Sequence, residues 1–332
     1  MHILIAHHTR IPVTKYGGTE RIMWWLGKEL QRLGHQVSFL VNSQSNCPFA
    51  EIVPIKKRIP LNDQVPEGVD LVHFFFQPRE EVEKPYLVTN QGNVPDDEKH
   101  LPLDQNTVFV SKNHAKRHGA ERFVYNGLDT SDCGPPDLNR ERSYFHFLAK
   151  ASWKLKNLQG AIEIAERAEK RLEILGGSRI NHKTGLKYFD KRDLKFHGMV
   201  GGERKNRILN GSKGLIFPVL WNEPFGIAMI ESLYFGCPVF GTTFGSLPEI
   251  INEDVGYLSN DVSDLVSAIK TSHYDKKMCH DYVHSQFTAE NMTMNYLKLY
   301  EKVLSGERLN YQAPSAGNTF NEKCEMIDST ND

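Results

Sequence analysis

The sequence lacks an excess of charge of either sign. It carries 40 Lys and Arg against 41 Asp and Glu over 332 residues, a formal net charge of −1 at pH 7. A domain that binds nucleic acid usually has a marked basic excess, so we do not expect nucleic acid as a partner. Short basic clusters do occur, at residues 56–58 and 112–118. A solvated surface is the more common explanation of such clusters, and contact with an anionic lipid surface is the alternative.

Cysteines and long apolar runs are also scarce. The five cysteines are scattered, odd in number, and never form a C-x-x-C pair. This pattern argues against a disulfide framework and a zinc site, and it favours a reducing compartment. No stretch approaches the roughly 20 apolar residues that cross a bilayer, and the apolar run at residues 1–6 is too short for a signal peptide. We therefore expect a cytoplasmic protein, and we leave peripheral contact with a membrane open.

Two well-known phosphate-binding motifs are missing. After the first predicted strand there is no G-x-G-x-x-G turn, because the loop offers only Gly17 and Gly18, and no G-x-x-x-x-G-K-[ST] motif occurs anywhere. The first absence disfavours a nicotinamide-dependent hydride transfer.

The order of apolar runs and helical patterns predicts two α/β domains. Short apolar runs alternate with amphipathic segments, which is typical of βα units in a parallel sheet. Composition changes between residues 126 and 142, where Asp, Gly and Pro accumulate. We predict two Rossmann-like, doubly wound domains facing a central cleft, at residues 1–130 and 138–286. A helix at residues 287–305 is expected to cross back to the first domain, and residues 306–332 form a polar, loosely ordered tail.

Local signals predict individual elements within these domains. Apolar residues recur at helical spacing over residues 22–33, and Gly34 follows them in the position where glycine commonly ends a helix. Residues 122–125 are predicted as a strand. A helix is predicted from Pro224 to Phe235, with the proline near its first turn.

The segment W-N-E-P-F-G-I-A-M-I-E, at residues 221–231, carries the strongest functional signal. It follows a predicted strand and opens this helix, so free backbone N–H groups and the positive end of the helix dipole are available to an anion. Glu223 and Glu231 would lie about 12 Å apart along a helix at 1.5 Å per residue. That spacing resembles the distance from a hexose to a nucleotide ribose, and carboxylates accept hydrogen bonds from sugar hydroxyls.

At these residues the sequence resembles the retaining glycosyltransferases of the GT-B fold, family 4, through their Glu-x7-Glu signature. Further segments resemble the same family in the right order along nearly the whole chain: G-G-T-E at 17–20, V-D-L-V-H at 69–73, N-G-L-D at 126–129, F-H-G at 196–198, G-C-P-V at 236–239, and residues 245–249.

The resemblance implies a role for each matching residue. Glu223 would hold hydroxyls of the transferred sugar, and Glu231 would bind the ribose. His73 would take part in catalysis, although a hydrogen-bonded core histidine is an equal alternative. The diphosphate would be bound by two lysines, by backbone N–H groups and by the first glycine loop: Lys150, Lys156, Phe225, Gly226, Ile227, Gly17 and Gly18.

The predicted activity is the transfer of a hexose-type sugar from a UDP- or GDP-sugar to an acceptor hydroxyl with retention of configuration. The acceptor would be a sugar, a lipid-linked molecule or another hydroxyl compound in polysaccharide, glycolipid or glycoconjugate biosynthesis. No D-x-D motif occurs, so we expect no metal and no cofactor, the nucleotide-sugar being a substrate. Two alternatives remain: a nucleotide-sugar epimerase or hydrolase on the same fold, and an inactive nucleotide-sugar-binding partner subunit.

Overall fold

The computed structural model describes residues 1–13, 15, 17–178, 180–181, 187–188, 193–316 and 324–329. The chain divides into two compact units. The first unit comprises residues 1–129 and 287–320, and the second comprises residues 130–286 and 321–332. The division at residues 129 and 130 falls within the segment where the composition of the sequence changes.

The elements of both units are as follows, in chain order. The strands are β1 (His2–Ala6), β2 (Gln36–Val41), β3 (Glu51–Pro54), β4 (Leu71–Phe74), β5 (Tyr86–Asn90), β6 (Thr107–Phe109), β7 (Tyr144–Leu148), β8 (Leu172–Leu175), β9 (Ile180–Asn181), β10 (Lys187–Tyr188), β11 (Leu194–Phe196), β12 (Ser212–Phe217), β13 (Val239–Gly241) and β14 (Gly256–Leu258). The helices are α1 (Gly18–Arg32), α2 (Lys112–Arg117), α3 (Thr130–Cys133), α4 (Leu158–Arg167), α5 (Gly202–Asn210), α6 (Ile227–Tyr234), α7 (Leu247–Ile250), α8 (Val262–Thr271), α9 (Lys276–Gln286) and α10 (Ala289–Leu304).

The first unit is built on a six-stranded parallel sheet in the order β3-β2-β1-β4-β5-β6. Every residue of its central strand β1 is buried, as expected for a parallel sheet covered on both faces. Helix α1 buries Ile22, Leu26 and Leu30. Gly34 follows the end of this helix with φ +86°, so the predicted helix end is confirmed.

The second unit repeats the same strand order with different residues. Its six-stranded parallel sheet runs β11-β8-β7-β12-β13-β14. Both orders correspond to the 3-2-1-4-5-6 arrangement of doubly wound dinucleotide-binding folds. The predicted pair of Rossmann-like domains is therefore confirmed. In such sheets ligands bind beyond the carboxyl ends of the strands, where the strand order reverses.

Each sheet contains a buried histidine that ties neighbouring elements together. In the first unit His73 lies 2.8 Å from the Tyr300 hydroxyl of α10 and 2.7 Å from the Thr89 hydroxyl of β5. In the second unit His146 lies 2.7 Å from the Ser212 hydroxyl and 2.9 Å from that of Ser232 on α6. Burial lowers the pKa of both histidines to about 3, so both rings are neutral near pH 7.

Helix α10 packs within the first unit, against α1 and β5. The connection before it is tight, because Leu128 forms an isolated bridge with Thr288. A Cβ placed on Gly127 would lie 2.1 Å from the carbonyl oxygen of Thr288. Only glycine fits this close approach of two backbone segments.

Two expectations from the sequence are wrong. Residues 122–125 do not form a strand, because β6 ends at Phe109 and only the bridge from Phe109 to Phe123 is made. The tail is also not loosely ordered at residues 309–316, where the Asn310 amide donates to the Thr107 carbonyl at 2.8 Å.

The tail also has an ordered part in the second unit. Asp328 forms an ion pair with Arg167 at 2.8 Å, and Ile327 bridges Asp261. Polar tail residues are held because they satisfy backbone and charged groups of the domain they cover. Residues 317–323 and 330–332 of the predicted tail lie outside the described residues. Among the helices of the described chain, none is long and apolar enough to cross a membrane.

The buried histidines predict a loss of stability in acid. A histidine titrates near pH 6.5 when unfolded, whereas folding lowers the pKa of His73 and His146 to about 3. The unfolded chain therefore binds protons that the native chain does not, and the stabilisation present above about pH 6.5 is lost as pH falls toward about 3. Urea unfolding between about pH 7.5 and about pH 4 measures this loss.

A variant isolates one histidine. His146→Gln keeps a side chain that hydrogen-bonds to Ser212 and Ser232 but removes the titrating ring. We expect a lower free energy of unfolding at neutral pH and a shallower decline in acid than in the wild type. Equal slopes in the two proteins would show that His146 does not supply the pH dependence.

Candidate active site

The first feature of the candidate site is a buried ion pair in the second unit. Glu223 lies in the loop after β12 with 5% of its surface exposed. Its Oε2 accepts from the Lys156 Nζ at 2.5 Å and from the Trp221 Nε1 at 2.8 Å. Two donors, one of them charged, hold the carboxylate in a fixed orientation.

Lys156 lies in an aromatic cage. It ends the short 3₁₀ turn at Lys154–Lys156 and is 7% exposed. Its Nζ lies 4.6 Å from the ring centroid of Trp221, 5.2 Å from that of Trp153 and 5.5 Å from that of Phe217. Ring faces attract a cation, and the contact is stronger where water is excluded. The resemblance assigned Glu223 to the transferred sugar and Lys156 to the diphosphate. In the structure these two residues form one buried ion pair.

The loop that carries Glu223 is fastened to a second loop. The backbone N–H of Ser246 donates to the Glu223 carbonyl at 2.9 Å, and the Ser246 hydroxyl donates to the Phe225 carbonyl at 3.0 Å. Gly245 has φ +69°, and a Cβ there would lie 2.2 Å from the Glu223 nitrogen. A side chain at position 245 would displace the Glu223 backbone, which explains a glycine at this position.

Helix α6 begins later than predicted. The expected start at Pro224 is wrong: the helix begins at Ile227, after Gly226 with φ +82°. The preceding residues are extended along residues 245 and 246, so they cannot take helical dihedral angles. The estimate of 12 Å between Glu223 and Glu231 assumed a continuous helix and therefore does not hold. The backbone N–H groups that open the helix remain those at Gly226 and Ile227.

Glu231 belongs to a second buried ion pair. It is 3% exposed on α6, and its carboxylate bonds to the Nζ of Lys205 on α5. Lys205 was not predicted from the sequence, because a lysine in a strongly charged helical segment carries no signal that separates it from a surface residue.

A third buried carboxylate lies at the same sheet. Glu173 on β8 is 3% exposed and bonds to the Nε2 of His197, which follows β11. Neither residue was predicted as a functional residue.

The carboxyl ends of β7, β8 and β11 approach each other through glycines. The Gly176 N–H donates to the Gly198 carbonyl at 2.8 Å, and a Cβ on Gly176 would lie 1.9 Å from the Ala149 carbonyl oxygen. Lys150 follows Ala149 and is exposed, and the part of the chain that the structure describes gives it no ion pair. The sheet order reverses between β7 and β12, so Lys150 and Glu223 flank the usual ligand-binding crevice of this fold.

The remaining predicted residues lie in the first unit. Gly17 precedes α1 with φ +155°, and the Arg21 Nε donates to its carbonyl at 3.2 Å, while Gly18 begins the helix. The ring of His73 is fully buried and both of its nitrogens contact hydroxyl groups, which favours the alternative of a hydrogen-bonded core histidine over the predicted catalytic role.

The first unit also contains a cavity of about 430 Å³ beyond the carboxyl ends of β1, β4 and β5. Its wall includes the rings of His8 and Phe76, which are tilted by 38° with centroids 4.3 Å apart, together with Arg79 and Asn90. The Asn90 Nδ2 is buried and has no hydrogen-bond partner among the described residues. None of these residues was assigned a function from the sequence; Phe76 belongs to an aromatic run, and such a run on a strand is usually core.

Metal ligation has no obvious site in the described residues. Within them, no group of three or more His, Cys, Asp or Glu side chains is arranged to hold a metal ion.

A family profile matches part of the second unit. Residues 142–275 match the profile of the family described as Glycosyl transferases group 1. An uncharacterized 41.2 kDa protein from the cps region of Klebsiella pneumoniae is 26% identical over 210 residues, which are 60% of this chain and 56% of that protein. The chain thus spans little more than half the length of this relative.

Solved structures extend the likeness to both units. AviGT4, a glycosyltransferase involved in avilamycin A biosynthesis, is 17% identical with a TM-score of 0.75, over 92% of this chain and 98% of that one. HepE of Anabaena, solved in complex with UDP and glucose, is 13% identical with a TM-score of 0.62, over 91% and 100%. At these identities the likeness shows the fold, which is that of GT-B glycosyltransferases. The profile match adds a sequence likeness to group 1 glycosyl transferases over residues 142–275.

The ion pair at Glu223 predicts a clear difference between two neighbouring lysines. Lys156→Met removes the cation and leaves Glu223 charged and buried, which typically costs about 3–5 kcal/mol. Lys154→Met is the matched control, because Lys154 is exposed in the same turn; it should change stability by less than about 0.5 kcal/mol. Urea unfolding measures both, and a double variant Lys156→Met/Glu223→Gln should recover part of the loss. Equal stability of the two single variants would contradict the buried pair.

Proposed function

We propose that the protein is a glycosyltransferase that moves a hexose-type sugar from a nucleotide-sugar to an acceptor hydroxyl. The observation that carries the proposal is the pair of buried, lysine-bound carboxylates Glu223 and Glu231 at one edge of the second sheet. Both lie inside the segment that matches the group 1 glycosyl transferase profile. Buried carboxylates with oriented lone pairs suit the recognition of sugar hydroxyls.

In this proposal the second unit binds the donor. Glu231 accepts from the ribose hydroxyls, and Lys205 is a positioning residue that holds the carboxylate in one orientation. Glu223 accepts from hydroxyls of the hexose, and Lys156 and Trp221 hold it in place. Orientation by a fixed second layer of contacts is what a site needs to bind a reacting sugar in one geometry.

The diphosphate of the donor is the leaving group and gains charge as the glycosidic bond breaks. Lys150 is the exposed cation suited to this charge, and the N–H groups at Gly226 and Ile227 add the positive end of α6. The bond from the anomeric carbon to the phosphate oxygen breaks, and a new bond to the acceptor oxygen forms on the same face of the sugar. The acceptor proton passes to the leaving phosphate. Charge stabilisation by these groups is the reason that we propose transfer without a metal ion.

The acceptor site proposed here is the cavity of the first unit. Its tilted His8 and Phe76 rings offer an apolar face, and donors are offered by the Arg79 guanidinium and by the Asn90 Nδ2, which has no partner among the described residues. An apolar face with a few polar groups is the usual lining of a small-molecule site, and it suits the alternating faces of a sugar ring. The acceptor would be a sugar or a lipid-linked molecule.

Donor binding is the first prediction to test. Calorimetry with UDP, GDP, ADP and their hexose conjugates should reveal one preferred nucleotide series, whose affinity is unchanged by EDTA. UDP is the first candidate, because the similar HepE structure contains UDP. Glu231→Gln should weaken that affinity by about 10- to 100-fold, the worth of hydrogen bonds to a charged group. The control is Glu253→Gln, which replaces an exposed glutamate of the same unit and should leave the nucleotide affinity unchanged. Absence of binding to any nucleotide would refute the donor-site assignment.

Turnover tests the role of Lys150. Lys150→Ala should lower kcat by about 10²- to 10³-fold, as expected for a group that stabilises developing charge, whereas Lys154→Ala should leave kcat unchanged. NMR of the product gives the anomeric configuration, and inversion would overturn the retaining mechanism. Consumption of the donor without acceptor would favour an epimerase or hydrolase instead, and binding without any turnover would favour a partner subunit.

A further inference from the structure

A second cavity lies at the opposite edge of the sheet in the second unit. It encloses about 410 Å³ and is lined where β7, β12 and β13 begin, by residues that include Lys213 and Pro238. Lys150 and Glu223 follow the other ends of β7 and β12. The length of the strands therefore separates this cavity from the proposed donor site. None of the residues with a proposed role in the donor site lines the cavity.

Cations dominate the lining of this cavity, although the chain as a whole is nearly neutral. Among the described lining residues Glu141 is the one carboxylate, against six Lys and Arg side chains from well-separated segments of the chain: Arg140, Arg142, Lys170, Lys213, Lys270 and Lys276. None of these six cations forms an ion pair with a described residue, although the Arg142 guanidinium and the Lys276 ammonium group each donate to backbone carbonyls. Like charges gathered without counter-charges repel each other, so the arrangement is relieved by an anion.

Helix dipoles account for only part of this cluster. Arg142 donates to the carbonyls of Phe235 at 2.6 Å and Gly236 at 2.7 Å, and so caps the end of α6. Lys270 lies in the last turn of α8, where a cation is favourable. Lys213 is on strand β12, and Lys276 is the first residue of α9, where the dipole disfavours a cation.

The floor of the cavity is apolar. Phe145 and Phe240 are 4% and 2% exposed, and their ring centroids are 5.8 Å apart; Tyr274 continues the row at 5.8 Å from Phe240. A volume of about 410 Å³ falls in the range of small-molecule sites, about 300–1,000 Å³. A cationic rim above aromatic rings suits a molecule that has both a charged and an apolar part.

We propose that this cavity binds the phosphate of a small amphiphilic or ring-containing anion, at a site separate from the donor site. Lysine ammonium groups bind phosphate as point charges, and several of them together favour an anion with two or more negative charges. Such a phosphate is carried either by a free phosphorylated molecule or by the headgroup of an anionic lipid.

Lysine footprinting locates the site directly. The full-length protein is acylated with and without inorganic pyrophosphate, and the modified lysines are identified by mass spectrometry. Pyrophosphate should protect Lys213, Lys270 and Lys276. Protection confined to Lys150, or no protection at all, would overturn the proposal.

Charge reversal tests the same site by affinity. Lys213→Glu/Lys270→Glu should weaken pyrophosphate binding at the footprinted site at least tenfold. Lys56→Glu/Lys57→Glu is the matched control, since it changes the same number of exposed lysines to glutamate in the first unit, and it should leave that binding unchanged. Neither pair belongs to the proposed donor or acceptor site. Equal affinity in the two double variants would refute the assignment.

Vesicle sedimentation separates the two sources of phosphate. Binding of the wild type to phosphatidylglycerol vesicles, lost in Lys213→Glu/Lys270→Glu and retained in Lys56→Glu/Lys57→Glu, assigns the cavity to a lipid headgroup. Pyrophosphate protection without such vesicle binding assigns it to a free phosphorylated molecule. Loss of both kinds of binding only in the control variant would place the anion site at residues 56–57 and overturn the proposal.

Discussion

The arrangement of the second unit depends on the requirement that a buried charge must be paired. Glu223 and Lys156 are almost completely removed from water, and each is tolerable there only because the other is 2.5 Å away. The pair joins the turn after β7 to the loop after β12. These are the two segments that flank the crevice of the sheet. Trp221 donates to the same carboxylate, and Gly245 lets a further loop approach closely enough to fasten it. The geometry of the candidate donor site follows from this one pair.

The pairing of a buried carboxylate with a basic side chain recurs around the sheet. Glu231 is bound by Lys205, and Glu173 by His197, whereas the more deeply buried His73 and His146 stay neutral between hydroxyl groups. Buried polar groups that are fully satisfied make a rigid framework. The charges left without a partner among the described residues are then informative, because they are the ones available to a ligand. At this sheet they include Lys150 on one edge and cations around the cationic cavity at the other.

This division assigns different chemistry to the two edges. The carboxyl edge combines oriented carboxylates, an exposed lysine and a helix amino terminus, which suit the hydroxyls and the diphosphate of a nucleotide-sugar. The amino edge, where helices end and carbonyls accumulate, would favour cations as simple caps, as at Arg142. More cations lie at this edge than the capping of helix ends requires, and they lie above aromatic rings. This arrangement makes the edge suitable for an anion. One parallel sheet can thus present two anion sites that share no residue.

Sequence by itself determined the number of domains, most strands and helices, and the positions of the two glutamates. These follow from local periodicity, glycine positions and a short motif, all of which act over a few neighbouring residues. Only the tertiary structure decided the partners. Lys156 joined Glu223 across 67 positions, Lys205 joined Glu231, and His73 turned out to be core because α10 returns to cover it. The start of α6 moved to Ile227 for the same reason, since contacts with residues 245 and 246 hold the preceding backbone extended. Long-range pairing leaves no periodic trace in a sequence, and it is the pairing that places charge, burial and orientation at a site.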